Sequence, residues 1–200
     1  MFRRTLLAGV LALVSTSAFA TTYTLDPQHT QVQFTWNHFG FSNPTGVFGK
    51  LDGTLEFDQA DPTKSTVNVT IPLNSVNSNV AKLNEHLESA DFFDAAKYPN
   101  ATFKSTKVEK GATPDQLKVT GDLTLHGVTK PVALDVTVNK VGEHPIRKAS
   151  TAGFDATATV QRADFGITKY VPGVSDEIKI HITTEAIEAK AYAASLKAAK

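Results

Sequence analysis

Hydrophobic and polar residues alternate with a period of two along most of the chain from Thr30 onward. In the first such segment Val32, Phe34 and Trp36 are apolar, and the residues between them are polar. This alternation is typical of β-strands that bury one face. Seven further segments repeat it and bring the predicted number of strands to eight: Val47 to Phe57, Val67 to Ile71, Ala101 to Phe103, Leu117 to Leu125, Val132 to Val138, Ala152 to Val160 and Ile178 to Ile182.

Two segments break the strand pattern. Between Asn79 and Ala96, Val80, Leu83 and Leu87 recur at helical spacing, which predicts a helical crossover packed over the strands. Residues 189–200 are rich in alanine and lysine and predict a short helical tail.

The strands are joined by short links, which favour antiparallel pairing, and closure into a barrel removes exposed strand edges. The predicted fold is therefore all-β, an eight-stranded antiparallel barrel with a helical crossover and a short C-terminal helical tail. Small residues at inward positions favour a hollow interior, although glycines also let barrel strands bend. These small residues are Gly49, Gly53, Gly121, Ala152, Ala156 and Ala158.

The first twenty residues predict a secretory signal peptide. Arg3 and Arg4 precede an apolar run, and Ala18-Phe19-Ala20 has the small residues of a cleavage site. We therefore expect residues 1–20 to be removed, residues 21–188 to form the barrel, and the protein to reside in the periplasm.

The amino-acid composition excludes several classes of function. The 200 residues contain no cysteine, which excludes disulfide scaffolds, thiolate metal sites and thiol catalysis. Twenty basic residues balance twenty acidic ones, so nothing indicates nucleic-acid binding. No apolar run after the signal segment is long enough for a stable membrane span. A homodimer is an option that the sequence leaves open.

An apolar barrel interior that side chains do not fill predicts a lipid or isoprenoid site. For each wall residue taken alone, plain core packing is the competing interpretation. The predicted wall consists of Phe34, Trp36, Leu51, Leu55, Phe57, Phe103, Leu123, Leu125, Val136, Phe154, Ala156 and Ile180.

Two polar residues end apolar rows of the predicted interior. Arg162 continues the inward row that ends at Val160, and His38 continues the row that ends at Trp36. A buried charge must be paired, so Arg162 is a candidate to bind the polar head of a ligand, and His38 is likewise a polar group at the end of an apolar row. Lys130 and Lys169 are weaker candidates.

The competing interpretation is structural. Arg162 could pair with Asp164 or Asp176 and fix a loop, and His38 could be a satisfied core histidine. Phe39, Phe41 and Phe48 flank the first turn, where they form either the mouth of the barrel or a hydrophobic cap over one end.

Enzyme motifs are absent from the sequence. It contains no G-x-S-x-G, P-loop or H-E-x-x-H pattern, and the six histidines are scattered. We therefore predict no catalytic residue, no metal and no cofactor. Two alternatives stay open: a metal-assisted hydrolase at the barrel mouth, with a second histidine or carboxylate beside His38, and an envelope stress or interaction protein with a filled barrel.

Several motifs together resemble the YceI-like, polyisoprenoid-binding family. Thr30 and Ala163 depart from that family's pattern, which has serine at both positions. The matching motifs cover roughly Tyr23 to Glu188 and are Asp26–Thr30, Ser89–Asp94 with Tyr98-Pro99, Phe103–Thr106, Gly121–Val132, Arg162–Gly166 and Val174–Ile178.

The resemblance implies a lipocalin-like barrel of eight strands, exported to the periplasm, that sequesters or transports a long-chain isoprenoid or related amphiphile. Ligands of such proteins include polyprenyl phosphates, quinones and fatty amides. The family brings no catalytic motif.

The exported protein should begin at Thr21, because Ala18 and Ala20 are the small residues that signal peptidase reads. Intact-mass analysis of the protein from a periplasmic extract checks this expectation. Residues 1–20 retained on the exported chain would contradict it.

Overall fold

A computed structural model describes residues 20–198, so the predicted signal peptide falls outside the described residues apart from Ala20. Two helices, α1 at Ala81–Glu88 and α2 at Ala189–Ala198, accompany the strands. The strands are β1 Thr21–Leu25, β2 Gln31–Thr35, β3 Thr45–Phe48, β4 Asp52–Phe57, β5 Thr66–Pro72, β6 Val76–Asn77, β7 Asn100–Lys110, β8 Gln116–Leu125, β9 Val128–Glu143, β10 Ser150–Gln161 and β11 Glu177–Glu188.

Eight of these strands close into an antiparallel barrel. Their order is β1-β4-β5-β7-β8-β9-β10-β11, and β11 pairs back onto β1. The closing register joins Tyr23 to Glu188 and Leu25 to Ala186. The predicted fold class, an eight-stranded antiparallel barrel with a helical crossover and a C-terminal helix, is therefore confirmed.

The remaining three strands extend the sheet at one end of the barrel. One edge of β11 has two partners. The C-terminal part of this edge pairs with β1, and the part from Lys179 to Thr183 pairs with β2. Strand β3 then pairs with β2, and β6 pairs with β3. The barrel wall is thus closed at the β1 end, whereas at the β2 end it continues into this short extension.

The eight predicted strands are not the eight strands of the closed ring. The first barrel strand, Thr21–Leu25, was not predicted, because only Tyr23 and Leu25 alternate in it. The segment predicted from Val47 to Phe57 is two strands, separated by a bend at which Lys50 has a φ of 56°. A break of this kind leaves the period-two pattern intact, so alternation does not reveal it.

The crossover helix is shorter than predicted. Helix α1 ends at Glu88, and turns rather than helix occupy the segment from Ser89 to Pro99. The turn from Asp94 to Tyr98 is closed by a hydrogen bond of 2.8 Å, which the Tyr98 N–H donates to the Asp94 carbonyl. Within residues 20–198, neither helix has the length and hydrophobicity needed to cross a membrane.

The junction between β1 and β2 is built around a buried carboxylate, Asp26, which is 2% exposed. The Gln28 N–H donates to Asp26 Oδ1 over 3.1 Å, and His29 Nδ1 lies 2.6 Å from Asp26 Oδ2. Arg147, from the β9–β10 connection, places its Nη2 2.7 Å from the same Oδ2. The backbone N–H of Asp26 donates to the Glu185 carbonyl, which fixes the junction to β11.

These partners set the pKa of Asp26. Burial alone raises the pKa, but the hydrogen bonds from His29 and the Gln28 N–H, together with the charge of Arg147, outweigh it and lower the pKa below its ordinary value. Because the folded pKa lies below the unfolded one, Asp26 contributes stability above pH 4, which is lost as the pH falls through its folded pKa.

Replacement Asp26→Asn should lower the free energy of unfolding at pH 7 by about 2–3 kcal/mol, because it removes the charge that accepts hydrogen bonds from His29 and Arg147. The difference from the wild type should shrink as the pH falls below 4. Urea unfolding at pH 7, 5 and 3.5 measures both effects. Asp122→Asn, at an exposed position of β8, is the control and should change little. A pH-independent difference for Asp26→Asn would refute the charge argument.

Candidate functional site

The larger of two interior cavities lies between the barrel, α1 and the turns that follow α1. Its volume is about 380 Å³, and its lining is almost entirely apolar. It is lined by Val32, Phe34, Trp36, His38, Pro44, Phe48, Ile71, Leu73, Leu83, His86, Leu87, Phe92, Phe93, Ala101, Leu123, Leu125, Val160, Arg162, Ile167, Tyr170, Val174, Ile178 and Ile180. We call this space the upper cavity.

A second cavity, the lower cavity, lies deeper in the closed barrel and has a volume of about 170 Å³. Its polar lining consists of hydroxyl groups, and Thr30 and Thr184 satisfy each other through an Oγ1–Oγ1 hydrogen bond of 2.7 Å. Its apolar lining consists of Leu25, Val32, Leu51, Leu55, Phe57, Val67, Val69, Ile71, Phe103, Val108, Leu117, Val119, Leu123, Val132, Leu134, Val136, Phe154, Ala156, Ile180 and Ile182.

Four side chains border both cavities: Val32, Ile71, Leu123 and Ile180. All four are aliphatic and come from different strands, so they form an apolar partition across the barrel. Side-chain rotation of such residues needs no backbone movement. The two cavities are therefore adjacent compartments of one apolar interior, which is not the filled barrel of the alternative interpretation.

An aromatic cluster forms one wall of the upper cavity. The ring of Phe34 stacks on Phe48 with centroids 5.1 Å apart and on Trp36 at 5.7 Å. Phe93, from the segment after α1, meets Phe34 edge-on at 5.9 Å. These rings present flat apolar faces suited to an alkene chain.

All predicted wall residues border one of the two cavities. Their role in ligand binding stays a prediction. The upper cavity takes Phe34, Trp36, His38, Leu125 and Arg162; the lower cavity takes Leu51, Leu55, Phe57, Phe103, Val136, Phe154 and Ala156; Leu123 and Ile180 border both.

The small inward residues do not create this space in the predicted way. A side chain at Gly121 would overlap the Phe103 ring, and one at Gly53 would overlap Leu25, so neighbouring side chains already use that room. Ala152 is fully buried in the packed core. Among the predicted small residues, Ala156 is the one that borders the upper or the lower cavity.

The contribution of the crossover to the upper cavity was not predicted from the sequence. Leu83, Leu87, Phe92 and Phe93 line it, although the pattern predicted only that this segment packs over the barrel. The signal was present as helical spacing followed by two adjacent phenylalanines. Tyr170 also borders the cavity, but it lies in a turn with no periodic pattern.

The upper cavity reaches the surface at its polar end. Of its lining residues, His38 and Tyr170 are exposed and His86 is half-buried, and Arg162 lies just below them. We call this opening the mouth. Polar groups are therefore gathered at one end of a long apolar space, which is the arrangement that an amphiphile requires.

Arg162 is 6% exposed, and backbone carbonyls rather than carboxylates satisfy its guanidinium. Its Nε donates to Ser175 O over 2.9 Å, and its Nη1 donates to Ile167 O over 2.9 Å. Its Nη2 donates to Lys169 O and to Val174 O over 2.8 and 2.9 Å. Four of its five N–H groups thus hold the loop that carries Tyr170.

The predicted ion pair of Arg162 with Asp164 or Asp176 is wrong. Neither Asp164 nor Asp176 forms a salt bridge with it; Asp176 Oδ1 accepts the Ala163 N–H over 2.7 Å instead. Burial lowers the pKa of Arg162, whereas the charge of Asp176 opposes that shift. The loop-fixing interpretation therefore describes its contacts, but the acceptors are carbonyls, which a sequence does not mark as partners.

The weaker head-group candidates lie outside the cavities. Lys130 is exposed on β9, and Lys169 Nζ lies 3.3 Å from Asp91 Oδ2 at the surface. Phe48 is buried in the aromatic wall, whereas Phe39 and Phe41 are exposed beside the mouth. The hydrophobic-cap interpretation is therefore wrong for Phe41, whereas the Phe39 ring, 52% exposed, lies against the backbone of Gly173.

Among residues 20–198, one group could supply three ligands to a cation: Asp26, His29 and Glu185, with their donor atoms within 4.8 Å of one another. The guanidinium of Arg147 already lies against Asp26 in this group. The group is at the start of β2, and His38 follows the other end of that strand. It is therefore not the pairing beside His38 that a mouth hydrolase would need.

The chain is similar to known proteins over most of its length. The family described as the YceI-like domain matches residues 23–186. Protein YceI of Salmonella arizonae is 41% identical over 182 residues, which cover 90% of this chain and 94% of that protein.

Solved structures have the same fold. Burkholderia cenocepacia BcnA superposes with a TM-score of 0.72 at 27% identity, covering 80% of this chain and 98% of that chain. A Saccharophagus degradans structure, described as a polyisoprenoid binding domain implicated in plant cell wall breakdown, superposes with a TM-score of 0.61 at 18% identity, covering 85% of this chain and 99% of that chain.

Arg162→Gln should lower the free energy of unfolding by about 3 kcal/mol, because it leaves buried carbonyls without their charged donor. Affinities for farnesol and farnesyl phosphate should fall by similar factors, since the guanidinium is already engaged. Urea unfolding and titration of the two ligands measure these effects, with Lys130→Gln as the exposed control. A loss confined to farnesyl phosphate, in a variant of unchanged stability, would make Arg162 a head-group contact instead.

Proposed function

Because this chain belongs to the YceI-like family, we propose that it binds a long-chain isoprenoid or related amphiphilic lipid in its barrel interior. The observation that carries the proposal is the upper cavity, whose apolar walls meet polar groups only at the mouth. The Saccharophagus degradans neighbour is described as binding the same ligand class.

The cavity volume sets the scale of the proposed ligand. An engineered protein cavity of about 150 Å³ holds benzene, which corresponds to about 25 Å³ per carbon. The upper cavity would then hold about 15 carbons, or three isoprene units, and the lower cavity about seven more. At about 0.8 kcal/mol per buried methylene, 15 carbons correspond to about 12 kcal/mol before the entropic cost of ordering the chain.

The head group of the proposed ligand lies at the mouth. The Tyr170 hydroxyl and the imidazoles of His38 and His86 are the groups that can form hydrogen bonds there. Such groups serve a phosphate, a quinone carbonyl or an amide alike. The tail extends along the aromatic wall formed by Phe34 and Phe48 toward the partition.

The proposed role is carriage rather than catalysis. The family and the apolar lining both favour a binding protein, and a cavity that covers an isoprenoid tail would keep it out of water during sequestration or transport. We further propose the periplasm as its compartment, on the strength of the signal-peptide pattern in residues 1–20.

Mass spectrometry of an organic extract of the protein purified from its native compartment tests the proposal directly. The expected result is a stoichiometric isoprenoid or other long-chain lipid that is absent from an extract of the unfolded, washed protein. An extract without lipid, together with no binding of farnesol or geranylgeraniol by the delipidated protein, would overturn it.

Ala156→Phe should fill the lower cavity and leave the upper cavity intact. Affinity for geranylgeraniol, with 20 carbons, should therefore fall at least tenfold, whereas affinity for farnesol should change little; tenfold corresponds to about two displaced methylenes. Competitive fluorescence titration of both alcohols measures the difference. Thr157→Phe, on the outward side of the same strand, is the matched control. Unchanged geranylgeraniol affinity in a folded variant would show that the tail does not reach Ala156.

A further inference from the structure

Two aromatic side chains beside the mouth are exposed to solvent. Phe41 is 91% exposed and Phe39 is 52% exposed, in the turn between β2 and β3. Single exposed hydrophobic residues are common on protein surfaces, but two exposed aromatic residues in one turn at the opening of an apolar cavity suit an apolar partner.

The turn holds these rings in place through its backbone. The His38 N–H donates to Ser42 O over 2.8 Å, and the Phe39 N–H donates to the Gly173 carbonyl over 2.7 Å. Phe39 itself has a φ of 52°, in the left-handed region that non-glycine residues rarely adopt. The backbone therefore maintains an arrangement in which Phe41 points into solvent and does not pack onto the barrel.

The exposed rings continue the lining of the upper cavity. Phe39 contacts the ring of His38, a lining residue, edge-on at 4.9 Å. Across the mouth, Tyr170 is 49% exposed and also borders the cavity. Phe41 is joined to the same lining residue through its backbone, since its N–H donates to the His38 carbonyl over 3.0 Å, so both exposed rings flank the opening of the space proposed for the lipid tail.

We propose that this turn docks the mouth against a lipid bilayer, with Phe41 inserted between the lipids, so that a ligand passes between membrane and cavity. This inference rests on the proposed function, because it treats the membrane as the ligand's reservoir. A tail that crossed through water would expose every methylene, whereas contact at the mouth keeps it covered.

The size of the patch favours a bilayer over a protein partner. An aromatic side chain contributes at most about 250 Å² of surface, so two of them fall well short of the roughly 800 Å² per partner of a stable protein interface. Insertion of one or two rings would give a weak and reversible attachment, since even a single myristoyl chain binds a membrane only marginally. Tyr170, with an apolar ring and a hydroxyl, is of the residue type enriched at that interface.

The test uses the mature protein, phosphatidylcholine vesicles and dansyl-labelled farnesol. Phe41→Ser should lower the fraction of ligand-free protein that sediments with vesicles about tenfold, and the rate of ligand uptake from vesicles should fall by a similar factor. Affinity for the same farnesol in vesicle-free solution should stay within twofold, because Phe41 is not a lining residue. Phe41→Trp should restore both vesicle readouts.

Ile146→Ser is the matched control. Ile146 is 85% exposed but lies beyond the opposite end of β10, in the β9–β10 connection. It should sediment with vesicles and take up ligand as the wild type does. A loss for Ile146→Ser equal to that of Phe41→Ser would indicate general surface hydrophobicity and overturn the proposed docking site.

Two other outcomes separate the docking site from the proposed function. Unchanged vesicle sedimentation and uptake in Phe41→Ser, with farnesol still bound in solution, would overturn docking alone. A wild-type dimer that Phe41→Ser converts to a monomer in sedimentation velocity would assign the patch to a second copy of the chain and overturn the bilayer as its partner. No farnesol binding by the wild type would instead overturn the proposed function, while sedimentation of the ligand-free protein still decides docking.

Discussion

The architecture depends on the point at which one edge of β11 changes partner. From Lys179 to Thr183 this edge pairs with β2, and from Ala186 to Glu188 it pairs with β1. Glu185 bridges the change, since its carbonyl accepts the Asp26 N–H and its own N–H donates to the His29 carbonyl. The sheet can therefore close tightly at the β1 end while the β2 end diverges, and the divergence creates the upper cavity that α1 covers.

Two buried charged residues secure the two ends of this barrel, each through several hydrogen bonds or ion pairs. Asp26 holds the β1–β2 junction and, through Arg147, the β9–β10 connection. Arg162 holds the carbonyls of the loop from Ile167 to Ser175, which forms one side of the mouth. Both charges are compensated by several hydrogen bonds, which is the condition for burying them without loss of stability. The loop on this side of the mouth is therefore held in place by the hydrogen bonds of Arg162.

Alternation along the chain predicted the inward face of the strands well, because a period of two couples every second side chain to the same face. That is why Phe34, Leu123 and Ile180 were recognised as interior residues. Only Tyr23 and Leu25 alternate in Thr21–Leu25, so this barrel strand was missed, and alternation also carries no information on which strands pair. Nor does it mark backbone acceptors, so the partners of Arg162 were misassigned to carboxylates. The role of Phe92 and Phe93 depended on the tertiary position of the crossover.

On the proposed function, the uneven distribution of polar groups gives the ligand a direction. The hydrogen-bonding side chains His86 and Tyr170 lie at the mouth, whereas the lower cavity offers only hydroxyls, of which those of Thr30 and Thr184 already bond to each other. A polar head forced into the lower cavity would lose its hydration and gain few partners. The tail must therefore enter first, and the aliphatic partition that includes Leu123 meets its leading end. On this proposal the lower cavity limits the length of the chain that binds, and the polar groups at the mouth determine which head group binds.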